Sequence, residues 1–112
     1  MDNDVYVTIN HLEDYLPIIN IKVGDSLILR KDKDNIYDDE AIAVYTSDNI
    51  KCGYVANSVH SVARGTYSAG RAYNLFEEET NCNVRFLLLD QDCLIGKICW
   101  YRIYIDVWYM LI

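Results

Sequence analysis

Short apolar runs broken by polar clusters set the rhythm of this chain. VYVTI (Val5–Ile9) is rich in β-branched and aromatic residues, the composition of a strand. HLEDYLPIINIKVGD, residues 11–25, has no clear period and reads as an irregular connection ending at Gly24–Asp25. SLILR, residues 26–30, is a second strand, and a charged loop follows it. AIAVY, residues 41–45, places Ile42 and Val44 on one face of a third. TSDN, residues 46–49, consists of turn formers, and KCGYV, residues 51–55, is the next strand. Then the period changes. In NSVHSVARG, residues 57–65, Ser58 is a candidate N-cap, Val59, Val62 and Ala63 recur at helical spacing, and Gly65 is a stop. That spacing predicts a helix of about two turns. TYSAGRAYNLFEEE, residues 66–79, is a weaker helical or turn segment because Gly70 interrupts it. NVRFLLL (83–89) and CLIGKICWYRIYIDVWY (93–109) read as closing strands joined by a DQD hairpin turn. The pattern predicts a mainly β fold, a partly open β-barrel of about six strands with one or two short helices.

The end of the chain alternates most clearly. Tyr101, Ile103, Ile105, Val107, Tyr109 and Leu111 fall on one face, with Arg102, Tyr104, Asp106 and Trp108 on the other. The run is too short for a membrane helix, and Arg102 and Asp106 interrupt it. It reads as a closing strand, a C-terminal apolar extension over residues 101–112. The sharper alternative is an edge that pairs with a second copy in a homodimer.

At 112 residues the chain is expected to form one domain, 1–112, without a linker or internal repeat. Its net charge of -7 argues against a general nucleic-acid coat. The excess acid lies toward the two ends. Residues 22–71 balance, and hold Lys22, Arg30, Lys31, Lys33, Lys51, Arg64 and Arg71. The four cysteines, at 52, 82, 93 and 99, form no C-x-x-C pair. The acidic N-terminus lacks a secretory signal pattern. Free thiols in a reducing cytoplasm are therefore expected.

The charged loop RKDKDNIYDDE, residues 30–40, invites a calcium reading, which fails on spacing. A loop starting at Asp32 needs Gly where Tyr37 stands and Glu where Ala43 stands. Neither Ser58 nor Cys52 with His60 forms a known catalytic frame, and no phosphate-binding glycine loop is present. No cofactor, metal site or catalytic activity is expected. Asp32, Asp34, Asp39 and Glu40 read as solvated turn residues. Among ten tyrosines, Tyr6, Tyr45 and Tyr101 are expected in the core because they lie inside strand patterns. Tyr37, in a loop between Asn35 and Asp38, is not.

From Gly24 onward the residues become recognisable. GDSLILR, then DNIYDDEAIAV, then CGYVANS resemble the HIRAN domain family in its Gly-Asp turn, its N-x-Y-D loop, its A-I-x-V strand and its following G-Y. The similarity covers roughly residues 5–100. The segment GYVANSVHSVARGTYSAGRAY is similar to the short, free-standing bacterial and phage HIRAN proteins. The resemblance implies a β-barrel of OB-like or SH3-like form. It also implies binding of single-stranded DNA at a free 3′-hydroxyl end, without catalysis. Carried onto this chain, it gives Asn35 and Tyr37 the terminal-nucleotide pocket, Asp38 the 3′-hydroxyl and Tyr54 the pocket wall. Arg30, Lys31, Lys51, Arg64 and Arg71 are the available phosphate partners. The family's aromatic pair after the first strand has no clear counterpart, and His11 and Tyr15 are the candidates.

Two functions compete at this point. One is a DNA-end module that serves a nucleic-acid-processing partner. The other is a phage or mobile-element protein that inhibits a host nucleic-acid enzyme, anti-CRISPR-like, through Glu77–Glu79 and the apolar end of the chain.

Overall fold

Six antiparallel strands close into a ring in the computed structural model, which describes residues 4–15, 20–88 and 92–99. They are β1 (Tyr6–Asn10), β2 (Ser26–Lys31), β3 (Ile42–Thr46), β4 (Lys51–Val55), β5 (Glu79–Leu88) and β6 (Cys93–Ile98). Their order around the ring is β1-β4-β3-β2-β5-β6. The expected barrel is therefore present, and its ring is complete. The seam between β1 and β4 is short, with Ile9 opposite Val55 and Asn10 opposite Tyr54. Beyond it the chain after β4 takes over. The Ala56 amide donates to the Thr8 carbonyl at 2.8 Å, and the Tyr67 amide donates to the Tyr6 carbonyl at 2.7 Å.

Alternation explains which faces are buried. Val7 and Ile9 point inward from β1, Leu27 and Leu29 from β2, and Leu94 and Ile98 from β6. Leu12, Ala69, Ala72 and Phe76 belong to the same core cluster from outside the strands. Tyr6 and Tyr45, expected in the core, stand on the opposite face of their strands and are half-buried. Tyr101 lies outside the described residues, as do the alternating end of the chain and the homodimer edge read into it. Among the described residues, no helix is long and apolar enough to cross a membrane.

Residues 57–65 are not a helix. Ser61 and Val62 both donate to the Ser58 carbonyl at 3.0 Å, which makes one turn. The Ala63 amide then leaves the helical pattern and donates to Thr8 Oγ1 at 3.0 Å. Thr8 is buried and polar, and its hydroxyl also meets Thr66 Oγ1 at 2.8 Å. This long-range pairing satisfies a backbone donor that local helix would otherwise take. The helix falls in the weaker segment instead. It is α1 (Ala69–Ala72), capped by Ser68 Oγ, which accepts from the Arg71 amide. Ala69 and Ala72 are small enough to bury completely against the barrel.

None of the four cysteines is in a disulfide among the described residues. Burial pushes the Cys52 thiol up to about 11 and raises the Cys82 thiol as well. At pH 8 about one Cys52 side chain in a thousand is then thiolate, the reactive form. A thiol-specific reagent on the native protein should modify Cys93 and Cys99 in a fast phase, with Cys52 and Cys82 reacting only on denaturation. Peptide mapping after a timed quench checks this; early modification of Cys52 would contradict it.

Candidate functional site

The loop between β2 and β3 is held at its neck by the backbone. The Asp32 amide donates to the Ala41 carbonyl at 2.9 Å, so the loop leaves and re-enters the barrel at one point. Inside it, Asn35 Oδ1 accepts from the amides of Tyr37 (2.9 Å) and Asp38 (3.0 Å), an Asx-type turn. The next acid repeats the device, with Asp38 Oδ1 accepting from the Glu40 amide at 2.9 Å. These bonds fix the backbone and leave the Tyr37 ring 93% exposed. Such exposure forgoes the burial that most large aromatic rings obtain.

A groove of about 600 Å³ lies beside this loop. Asn35, Tyr37 and Asp38 form one wall, Tyr54 of β4 another, and Asn10 and His11 at the end of β1 a third. His11 has a left-handed backbone, φ 65°, which turns the chain sharply out of the strand. Its ring is exposed, with Nδ1 3.8 Å from Asp14. Tyr15 does not line the groove.

The Asp38 carboxylate is aimed by two donors. Besides the Glu40 amide on Oδ1, Oδ2 accepts from Asn57 Nδ2 at 3.0 Å. Asn57 is itself fixed, because its Oδ1 accepts from the Gly70 amide of α1 at 2.8 Å. Only the NH₂ end then faces Asp38. A carboxylate offers about four acceptor positions, so about two remain for a ligand.

Asp32 is not a solvated turn residue. It is half-buried, and its Oδ2 accepts from the Tyr54 hydroxyl at 3.2 Å and from Asn35 Nδ2 at 3.4 Å. Lys51 Nζ donates to the same Tyr54 hydroxyl and sits 4.2 Å from the Tyr54 ring centroid. Burial pulls the Lys51 ammonium down, but the hydrogen bond and attraction of Tyr54 outweigh it and the net shift is upward. Lys51 is therefore a fixed positive charge behind the Tyr54 wall.

The other basic residues are placed elsewhere. Arg30 Nε donates to Glu79 Oε2 at 2.9 Å, with its guanidinium 4.5 Å from the Tyr45 ring centroid. Lys31 Nζ donates to the Phe76 carbonyl at 2.7 Å and lies 4.4 Å from the Tyr73 ring centroid. Arg71, on α1, stacks 4.0 Å from the Tyr67 ring centroid. Arg64 lines a different groove. Of the residues named from sequence, Asn35, Tyr37, Asp38 and Tyr54 converge on one groove, with Lys51 just behind. Sequence reading missed Asn57 and Asp32. ANS follows GYV directly, and Asn57's place three residues after Tyr54 was the available signal for it.

The match to known proteins covers this same region. The model of the HIRAN domain family matches residues 5–72, from β1 through α1. No curated protein matches the chain. A structural-genomics crystal structure of a protein from Lactobacillus plantarum is similar in fold. It has a TM-score of 0.54 and 20% identity, and the similarity covers 88% of this chain and 95% of that one. The family match spans more than half of the sequence and includes every residue of the groove, so the chain belongs to the HIRAN domain family.

Proposed function

We propose that this protein binds the 3′-hydroxyl end of single-stranded DNA in the groove of Asn35, Tyr37, Asp38 and Tyr54, and that it acts by binding alone. Membership of the family gives nucleic-acid recognition as the general role. The finer reading is carried by one observation: an oriented, half-buried carboxylate, Asp38, stands beside a tyrosine ring that is 93% exposed. The ring offers a face for a terminal base, and stacking of this kind tolerates any sequence. The carboxylate accepts a hydrogen bond from a sugar hydroxyl and repels a phosphate in the same place. Lys51 supplies a positive charge close to the wall on which the sugar would rest.

Charge pairing bears on the competing inhibitor reading. Glu78 meets Lys33 at 2.6 Å and Glu79 meets Arg30 at 2.9 Å, so part of the acidic run is neutralised by the protein's own bases. The Lys33 hydrogen bond holds the Glu78 carboxyl below its ordinary range. Less negative field remains for a basic partner.

The test compares one short strand ending in 3′-hydroxyl with the same strand ending in 3′-phosphate, by fluorescence anisotropy at low salt. The hydroxyl strand should bind at least about 10-fold more tightly, the range of one charge-assisted hydrogen bond. Equal affinities, or no binding of either strand at micromolar protein, would sink the end-recognition reading. A partner pull-down would then address the inhibitor reading.

A further inference from the structure

A second groove of about 440 Å³ lies on the outer face of the barrel. Tyr6 of β1, Ile95 of β6, Phe86 and Leu88 of β5, and residues 63–66 form its walls. The pairing of β5 with β6 shifts between Val84 and Phe86. Val84 is opposite Gly96 and Phe86 opposite Ile95, so Arg85 is an extra residue. Val84 is buried and Leu87 packs on the core, while Arg85 and Phe86 are both exposed. The bulge thus turns an arginine and a phenylalanine outward together. Phe86 is 61% exposed.

We propose that this groove carries the next stretch of the same single strand, with Phe86 as a stacking platform and Arg64 and Arg85 as phosphate partners. The proposal rests on the 3′-end reading above and extends it to a path. Continuity with the first groove supports it. Ser58 and Ser61 line the first groove and residues 63–66 the second, so one segment walls both. Asn10 borders the first and Tyr6 the second, four residues apart on β1, or about 13 Å. Charge supports it too. No carboxylate lines the second groove, and among the described residues neither Arg64 nor Arg85 has an ion-pair partner. Arg64 in the groove and Arg85 next to Phe86 in the bulge, neither ion-paired among the described residues, in a chain of net charge -7, suit a stacked and negatively charged strand better than a neutral apolar peptide.

The test uses the full chain and two oligothymidine strands ending in 3′-hydroxyl, one of about three nucleotides, below the range of single-strand site sizes, and one of about ten, within it. The longer strand should bind the wild-type protein more tightly. Phe86→Ala should lower that affinity about 10-fold, the worth of one stacked base, and leave the short strand unchanged. Arg64→Ala with Arg85→Ala should reduce the salt slope for the longer strand by about 1.4, two single-strand phosphate contacts. Equal affinities for the two strands, or no effect of Phe86→Ala on the longer one, would overturn the path and leave end recognition standing. A length effect removed by Phe86→Ala, without any 3′-hydroxyl preference, would support the path while the end reading failed. A drop in gel-filtration mass for Phe86→Ala would make the groove an interface between copies and overturn the proposal.

Discussion

Replacing Asp38 by alanine should abolish the preference for a 3′-hydroxyl end. The affinity for that strand should fall about 10- to 100-fold, since a hydrogen bond to a charged group contributes about 1.5–3 kcal/mol. The 3′-phosphate strand should move the other way. A phosphate about 4 Å from a carboxylate is repelled by about 1–4 kcal/mol per unit charge, and the substitution removes that term. The two strands then converge from both sides. Asp38→Ala also deletes the acceptor for the Glu40 amide and for Asn57 Nδ2, so a control is needed for loosening of the loop. Asp38→Asn comes closer to removing charge alone, because its amide oxygen still accepts from Glu40, although its NH₂ then faces Asn57 Nδ2 and that one hydrogen bond is lost. Asp38→Asn should lose most of the selectivity with a melting temperature lowered by only a few degrees, the worth of one exposed hydrogen bond. Anisotropy on the six combinations of wild type, Asp38→Ala and Asp38→Asn with the two strands decides the matter. Retained hydroxyl preference in Asp38→Asn would show that charge at this position does not select the end.

Gly53→Ala should be the most damaging small substitution in the barrel. A Cβ built on Gly53 lies 2.5 Å from the Asn10 carbonyl oxygen and 3.2 Å from Ile9 Cγ2. The first neighbour is backbone and cannot rotate away. Val44 stands opposite Gly53 on β3, and the β1–β4 seam next to it consists of two residue pairs. Relief must therefore come from moving β1 away from β4, at the place where the ring closes. Overpacking of this kind costs about 3 kcal/mol, and the melting temperature should fall by about 10 °C or more. The site should suffer as well, because Asn10 and Tyr54 form both that seam and two walls of the groove. Thermal melting by circular dichroism, followed by the two-strand anisotropy comparison, checks both effects. A melting point within a few degrees of wild type would mean that the strands separate there at little cost.

Local pattern set most of the strands. KCGYV became β4 with the expected limits, and SLILR and AIAVY became β2 and β3 with a shift of a residue or so. A period of two leaves little choice once one face is apolar. The same rule fails when one element covers another. Thr8 and Tyr6 share the outer face of β1, yet Thr8 is buried under residues 63–66 and Tyr6 is only half-buried. Nothing within VYVTI carries that information. Residues 57–65 show the same limit. Their helical spacing is genuine, and Thr8, about fifty positions away, outbids the helix for one amide.

At the site, the sequence by itself determined the chemistry that is local. Asn35, Tyr37 and Asp38 lie within four positions, and Asx turns need no distant partner, so their grouping and the exposure of Tyr37 follow from short-range bonding. Tertiary structure alone decided the rest. Barrel closure set Tyr54, Asn10 and His11 against the loop, and α1 held Asn57 so that its NH₂ faces Asp38. It also turned Asp32 from a surface acid into the acceptor shared by Tyr54 and Asn35, and sent Arg30 and Lys31 to partners on or just before β5. The division has one physical cause. A hydrogen bond across two or three residues is specified by the residues it spans, whereas a contact across the barrel depends on the register of every strand between.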